Sequence, residues 1–306
     1  MKRKILLADP LLEQYLPLYK KNFIVDTLWN NKKLKLSEYE GLVVSGLFKI
    51  PSNLYDELSN LKIISLFSVG FDNIDINKCK KKNIVLANTP KVLTNDVADL
   101  ALTFLLSLSR NLYHAHNYII NNNWEENGPI DLTASVYKKK VGIVGLGEIG
   151  RNFAKKVKSL SMEINYYGPN KKKISYKYFK DLKKMARYVD YLVITCIGGE
   201  KTNNLINNEI LNQMKKTSYL INISRGSVID EKALINHLKN KKIKGAALDV
   251  FKNEPKINTQ FKKLDNVILH PHNGSGTYET RKEMAELTIK NLKTFFSTGK
   301  PVYRII

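Results

Sequence analysis

An α/β fold with parallel sheets, divided into two lobes, is what the sequence predicts, and three observations carry it. Short apolar runs alternate with stretches of helical period along the whole 306 residues, as strands joined by crossover helices do. Two sets of these runs flank a long helical stretch that starts near Asn95. The second set opens on a glycine-rich turn lying between a strand pattern and a helix pattern.

Taken in order, the first lobe has four strand candidates: "KILLAD" (4–9), "GLVVSG" (41–46), "KIISLFSV" (62–69) and "NIVLAN" (83–88). Each is an apolar run of the length a buried strand needs. The lobe closes near "NTP", Asn88 to Pro90. One long helix is expected from about Asn95 to Asn122, opening on "TNDVADLALTFLLSL" with Thr94 or Asn95 as its N-cap. Six further strands follow: "KVGIVGLG" (140–147), "EINYYG" (163–168), "YLVITC" (191–196), "YLINIS" (219–224), "KGAALDV" (244–250) and "NVILHP" (266–271). Between the first two, Ile149, Phe153, Val157 and Leu160 recur at helical spacing. The last helix, "TYETRKEMAELTIKNLKTFFSTG" (277–299), is expected to return to the first lobe. The predicted domains are therefore 1–95 with 277–306, and 96–276, with a ligand cleft of the kind that forms between lobes.

Composition excludes several functions. A hydrophobic fraction of 43% and a charged fraction of 25% are those of a soluble globular protein. Cys79 and Cys196 cannot make a disulfide framework and have no metal-ligand spacing, so a reducing compartment and no metal are expected. "MKRKILLADP" lacks the apolar run of a secretory signal, and the apolar stretch Leu100 to Ser109 is too short to cross a bilayer. A cytoplasmic protein is expected. The net charge of +22 raises the question of nucleic acid. The lysines, however, sit in pairs and triplets at helix ends and turns ("KKKNI", "NKKKI", "LKNKKIK"), and no helix carries a basic stripe with interleaved aromatics. The charge reads as solvated surface, with no specific nucleic-acid or membrane partner.

Chemistry enters with "VGIVGLGEIG", Val141 to Gly150. A strand before it and a helix after it are the context a dinucleotide turn requires. Gly145 permits the tight turn, Gly147 lets backbone approach a pyrophosphate, and Gly150 lets helix and strand pack closely. Three polar groups then follow apolar strands: Arg225, Asp249 with Glu254, and His270 with His272. Singly, Arg225 could be a surface ion pair, Glu254 a solvated loop acid and His272 a cap. In a parallel sheet the strand ends line one crevice, so together they could polarise an anionic carbonyl compound and move a proton.

These motifs carry a resemblance. "SVGFDNID" (68–75), "NTPKVLTNDVADLAL" (88–102), "VGIVGLGEIG", "NISRGSVIDEKAL" (222–234), "GAALDVFKNEP" (245–255) and "HPHNGSGTYETRKEM" (270–284) resemble, in order, the motifs of the D-isomer-specific 2-hydroxyacid dehydrogenases. The nearest branch is that of the glyoxylate/hydroxypyruvate and hydroxyphenylpyruvate reductases. The resemblance implies a Rossmann-type dinucleotide-binding domain inserted into a flavodoxin-like substrate domain, and a homodimer, with Trp124 in a dimerisation or packing role. It implies that Arg225 binds the substrate carboxylate and carbonyl oxygen. His272 would be the general acid, and Glu254 would fix its tautomer and stabilise its charge. Backbone N–H groups of Val69 and Gly70 would hold the carboxylate, Leu47 and Phe48 would wall the site, and His270 would be structural. Cofactor contacts would fall at Gly145, Gly147, Glu148, Ile149 and Gly150, and further at Ile197, Thr202, Ile223, Asp249 and Gly274, Asp249 meeting the nicotinamide carboxamide.

Departures refine the expectation. "CIGGEKT" (196–202) replaces the family's Pro-Leu-Thr run, and Asp99 stands where many members have Glu. In "INYYGPNKKK" (164–173), Gly168 falls where members preferring NAD carry an Asp for the ribose 2′-hydroxyl. Without that acid, Asn170, Lys171 and Lys172 offer donors and charge to a 2′-phosphate, so NADP(H) is the expected cofactor, with NAD(H) as the alternative. The expected function is NADPH-dependent reduction of glyoxylate or hydroxypyruvate to D-2-hydroxy acids. The alternatives are 3-phosphoglycerate, D-lactate or hydroxyphenylpyruvate as substrate, or a non-catalytic nucleotide-sensing protein on the same scaffold.

Overall fold

The computed structural model describes residues 2–30 and 33–306. The chain separates into two compact units, Met1–Leu93 with Gly276–Ile306 and Thr94–Ser275, so that the second is an insertion in the first.

In the first unit β1 (Lys4–Leu7), β2 (Ile24–Thr27), β3 (Gly41–Ser45), β4 (Ile63–Phe67) and β5 (Val85–Ala87) form one parallel sheet, ordered β2-β1-β3-β4-β5. That is the flavodoxin-like order. β3 and β4 are buried at every position, which is why they read as unbroken apolar runs. The sequence reading has four strands here and the fold has five: β2 is an edge strand, exposed or half-buried from Ile24 to Asp26, so no apolar run marks it. The connections α1 (Leu16–Asn22), α2 (Leu54–Glu57) and α3 (Ile76–Lys81) cover the sheet. Asp75 caps α3 by accepting from the Lys78 N–H at 2.8 Å, while Lys78, Lys80 and Lys81 fill its last turn. Cations there complement the helix dipole, which gives part of the positive charge a local role.

The second unit opens with α4 (Thr94–Ser109), α5 (Leu112–Ile120) and α6 (Asn123–Asn127). The single helix expected to reach Asn122 is broken at Asn111, whose φ of 49° is left-handed. Asparagine tolerates that conformation, and one such residue stops a helix without disturbing the hydrophobic period on either side. There follow β6 (Lys140–Val144), α7 (Glu148–Lys158), β7 (Glu163–Tyr167), β8 (Lys177–Phe179), α8 (Leu182–Tyr188), β9 (Tyr191–Ile194), α9 (Asn208–Leu211), β10 (Tyr219–Asn222), α10 (Glu231–Lys239), β11 (Gly245–Leu248) and β12 (Val267–Leu269). All strands are parallel, in the order β12-β11-β10-β9-β6-β7-β8. The order reverses beside β6, the switch point at which doubly wound sheets bind ligands. β8, a half-exposed edge strand, is the second one absent from the sequence reading. α4 packs on α7, tied by Lys156 Nζ to Asp99 Oδ1 at 2.8 Å and by Asn152 Nδ2 to Asn95 Oδ1 at 2.5 Å.

The last helix, α11 (Tyr278–Thr298), belongs to the first unit and packs on β4 and α1. Thr277 caps its start through the Thr280 N–H, and Gly299, at φ 77°, ends it. No helix among the described residues is long and apolar enough to cross a membrane.

One ion pair sets a pH dependence for the second unit. Asp190, just before β9, accepts from Lys215 Nζ at 2.8 Å and from the Lys140 N–H at 2.9 Å, joining the starts of β6 and β9. Burial opposes its charge, but the Lys215 ammonium and the Lys140 N–H hold the carboxyl below its usual range. A carboxylate whose folded value is depressed stabilises fully above its unfolded value of about 3.9 and loses that stability as pH falls through the folded value. Asp190→Asn is expected to lower stability by about 1–3 kcal/mol at pH 7. Urea melts should show the gap closing as pH drops below about 4, and a gap independent of pH would rule the carboxylate out as its source.

Candidate active site

β12, β11 and β10 are neighbours in the second sheet, and their C-terminal ends carry the polar residues. Adjacent strands lie about 4.8 Å apart, so three consecutive exits bring side chains from distant sequence together. At the end of β10 the fully buried Asn222 donates to the Arg225 carbonyl at 3.0 Å and accepts from the Ser224 N–H at 3.0 Å. It thereby folds the turn that presents Arg225, whose Nη1 donates to the Ser224 carbonyl at 2.8 Å. Gly226 follows with no room for a side chain: a Cβ there would lie 1.9 Å from the Phe251 carbonyl carbon. The Arg225 turn thus lies directly against the segment that carries Glu254.

Beyond β11, Asp249 is 2% exposed and acts as a hub. Its Oδ1 accepts from His270 Nδ1 at 2.6 Å and from the Asn273 N–H at 2.9 Å, and its Oδ2 from the Gly274 N–H at 3.0 Å. Its carbonyl takes the His272 N–H at 2.7 Å. Residues 270–274 therefore wrap around one carboxylate. His272 sits in the left-handed region at φ 48°, a conformation that non-glycine residues hold only where surrounding bonds enforce it. Its Nδ1 meets Glu254 Oε2 at 2.6 Å, and Glu254 Oε1 accepts from the Phe251 N–H at 2.7 Å. Facing a carboxylate, Nδ1 carries the hydrogen. Nε2 has no hydrogen-bond partner among the described residues. The ring of His270 lies edge-on to Phe104 at 5.8 Å. Sequence reasoning missed Asn222, hidden inside a strand pattern, and the extent to which Asp249 is engaged in holding the turn.

At the switch point Gly145 has φ 98°, and a Cβ on it would lie 2.6 Å from Cys196 Cα. A Cβ on Gly150 would lie 2.5 Å from the Gly145 carbonyl oxygen. Both positions exclude side chains. Gly147, by contrast, faces open space, and no side chain caps the helix it starts. The N–H groups of Glu148, Ile149 and Gly150 at that end suit an anion approaching closely, as the pyrophosphate of a dinucleotide does. The residues present fit the group. Ile197 is 85% exposed past β9, and the Thr202 hydroxyl donates to the Ile197 carbonyl at 2.8 Å. Ile223 is buried, and Gly274 leaves no space for a Cβ beside Asp249 Oδ2. Burial pushes the Cys196 thiol up to about 11, so it stays a protonated, unreactive neighbour.

Gly168 lies one residue past β7, with open space over its Cα. Two tyrosines pin its loop: Tyr178 donates to the Gly168 carbonyl at 3.0 Å, and the Lys172 N–H donates to the Tyr166 hydroxyl at 2.7 Å. Asn170, Lys171 and Lys172 are exposed. In the first unit the N–H groups of Val69 and Gly70, just past β4, donate to nothing among the described residues. Leu47 is exposed, and Phe48 is partly buried against that unit's core. Trp124 is exposed on α6. No group of three or more His, Cys, Asp or Glu among the described residues could hold a metal ion.

A doubly wound sheet whose switch point ends in such an anion cradle, with a carboxylate and a histidine paired past the third and fourth strands from it, fits a dinucleotide-dependent oxidoreductase. Residues 102–274 match the model of the D-isomer specific 2-hydroxyacid dehydrogenase NAD-binding domain. Glyoxylate/hydroxypyruvate reductase A of Arabidopsis thaliana is 43% identical over 247 residues, 80% of this chain and 79% of that one. The 2-ketogluconate reductase of Gluconobacter oxydans (strain 621H) is 36% identical over 97% of this chain and 96% of its own. The crystal structure of the NADPH-dependent glyoxylate/hydroxypyruvate reductase of Sinorhizobium meliloti in complex with NADP and malonate superposes with a TM-score of 0.91 at 32% identity, covering 100% of this chain and 97% of that one. The chain belongs to the D-isomer-specific 2-hydroxyacid dehydrogenase family.

Proposed function

We propose that this protein reduces small 2-keto acids, glyoxylate and hydroxypyruvate, to D-2-hydroxy acids with NADPH. The observation that carries the reading is the His272–Glu254 pair at 2.6 Å, whose second ring nitrogen is left for a substrate. His272 Nε2 donates its proton to the carbonyl oxygen as C2 becomes tetrahedral, and then regains one from solvent. Glu254 keeps the hydrogen on Nδ1 and stabilises the charge that the ring carries before the transfer. The Arg225 guanidinium takes the substrate carboxylate and polarises the carbonyl, a forked task that an ammonium does less well. The N–H groups of Val69 and Gly70 hold the same carboxylate. A reduced nicotinamide dinucleotide, bound on the glycine turn, supplies the hydride.

NADPH is favoured over NADH by what Gly168 lacks. A carboxylate there would repel a 2′-phosphate, and its place is empty of any side chain. Asn170, Lys171 and Lys172 follow it, exposed, on a loop pinned by two tyrosines, and offer an amide and two ammonium groups to such a phosphate. The Sinorhizobium meliloti relative, by its name, is NADPH-dependent. Initial rates with hydroxypyruvate and glyoxylate should give kcat/KM about tenfold or more higher with NADPH, a difference of about 1.4 kcal/mol. A preference for NADH would mean that these lysines are only surface charge, and absence of turnover with either would remove the substrate assignment.

A further inference from the structure

The turn past β4 is held by a buried network that the mechanism above does not use. Asn291, in the middle of α11, is fully buried. Its Nδ2 donates to the Asn88 carbonyl at 2.9 Å, and its Oδ1 accepts from the Tyr303 N–H at 3.1 Å. The Asn88 N–H donates to the Tyr303 carbonyl at 3.3 Å, and Asn88 Nδ2 donates to the Val69 carbonyl at 2.9 Å. Two further bonds fix the same turn: the Thr89 N–H donates to the Ser68 carbonyl at 3.0 Å, and the Ser68 hydroxyl to the Gly70 carbonyl at 2.7 Å.

The pattern has a direction. A peptide group is planar, so its C=O and the N–H of the next residue point opposite ways. Tethering the Val69 carbonyl therefore orients the Gly70 N–H, and tethering the Ser68 carbonyl orients the Val69 N–H. All three carbonyls from Ser68 to Gly70 accept bonds from within the first unit, while the Val69 and Gly70 N–H groups donate to none among the described residues. Asparagine is a poor helix former, and a buried amide is costly unless both its ends are satisfied. Asn291 satisfies both ends on backbone far away in sequence. Packing alone would be served by leucine.

We propose that Asn88 and Asn291 are positioning residues for substrate: through the Val69 carbonyl they set the peptide plane whose N–H, on Gly70, meets the anionic oxygen of the 2-keto acid. This rests on the reading of Val69 and Gly70 as carboxylate donors, and it adds the reason those donors stay aimed when no substrate is bound.

The test uses the full-length protein with Asn88→Asp, Asn88→Ser and Asn291→Asp. It measures kcat, KM for hydroxypyruvate, KM for the dinucleotide, the inhibition constant of malonate, and the unfolding midpoint. In the folded variants, KM for hydroxypyruvate and the malonate constant should both rise roughly tenfold, since a bond to a charged group loses its alignment, with the dinucleotide KM almost unchanged. A purely structural role would instead lower the amount of active protein, reducing apparent kcat with both constants unmoved, and that result overturns the proposal. Asn88→Ser removes the tether without adding charge and decides the matter should Asn88→Asp not fold. A parent that neither turns over a 2-keto acid nor binds malonate removes the carboxylate reading, and the relay with it. A parent that does both while the variants keep its constants removes the relay alone.

Discussion

His272→Ala is expected to lower kcat by about a hundred- to ten-thousandfold, the usual worth of a positioned proton donor, with a much smaller change in KM. The ring is locked from one side only. Glu254 holds Nδ1 at 2.6 Å and is itself held by the Phe251 N–H, so the imidazole cannot turn without breaking its short bond to an anchored carboxylate. With His272 as the proposed proton donor, removing the ring would take that donor from the transition state and leave the ground-state anion contacts in place, which is the condition for a loss in kcat rather than KM. His270→Ala is the control. Its ring rests on Phe104 and bonds the buried Asp249, so its loss should loosen the 270–274 turn and lower the unfolding midpoint while the folded fraction keeps most of its turnover. Steady-state rates and melts on both variants check this. Intact turnover in His272→Ala together with abolished turnover in His270→Ala would exchange the two roles.

Gly226→Ala should cost about 3 kcal/mol or more in stability, at the top of the range for overpacking, and should disable whatever protein still folds. The added methyl group would run into a single backbone peptide group: Phe251 C at 1.9 Å, Phe251 O at 2.2 Å and Lys252 N at 2.3 Å. Side chains can swing aside, whereas these atoms belong to the chain that carries Glu254 and whose Phe251 N–H fixes its carboxylate. Relief requires the Arg225 turn and the Glu254 segment to separate, so stability and site geometry fail together. Gly147→Ala makes the contrast, because its Cβ meets nothing within 4 Å in the protein. That variant should melt like the parent and lose affinity for the dinucleotide alone. Chemical denaturation with dinucleotide titration separates the two, and a Gly226→Ala protein with parental stability and activity would contradict the close backbone contact.

Much of the fold could be read from the chain because its signals are local. β3 and β4 are buried on both faces and appear as continuous apolar runs. The glycine turn is legible because the turn, the strand before it and the helix after it span only ten residues, and Arg225, Glu254 and His272 stand out as polar groups following apolar strands. β2 and β8 were illegible for the opposite reason: half-exposed edge strands have no face that must be apolar. The break between α4 and α5 turns on the backbone angle of Asn111, which hydrophobic periodicity does not record.

By itself, then, the sequence determined the alternation of strands and helices, the glycine-rich turn between β6 and α7 and the kinds of side chain at the strand exits, since each depends on spacing within one short segment. Only the tertiary structure decided what supports them. Asn291 reaches the Asn88 carbonyl across 203 residues. Gly226 must be bare because a loop 25 residues later passes against it, and Asp249 is engaged by a turn that begins 21 residues on. These partners are set by which strands lie side by side and how closely their exits approach. That proximity arises from packing the whole sheet, and no local pattern of residues encodes it.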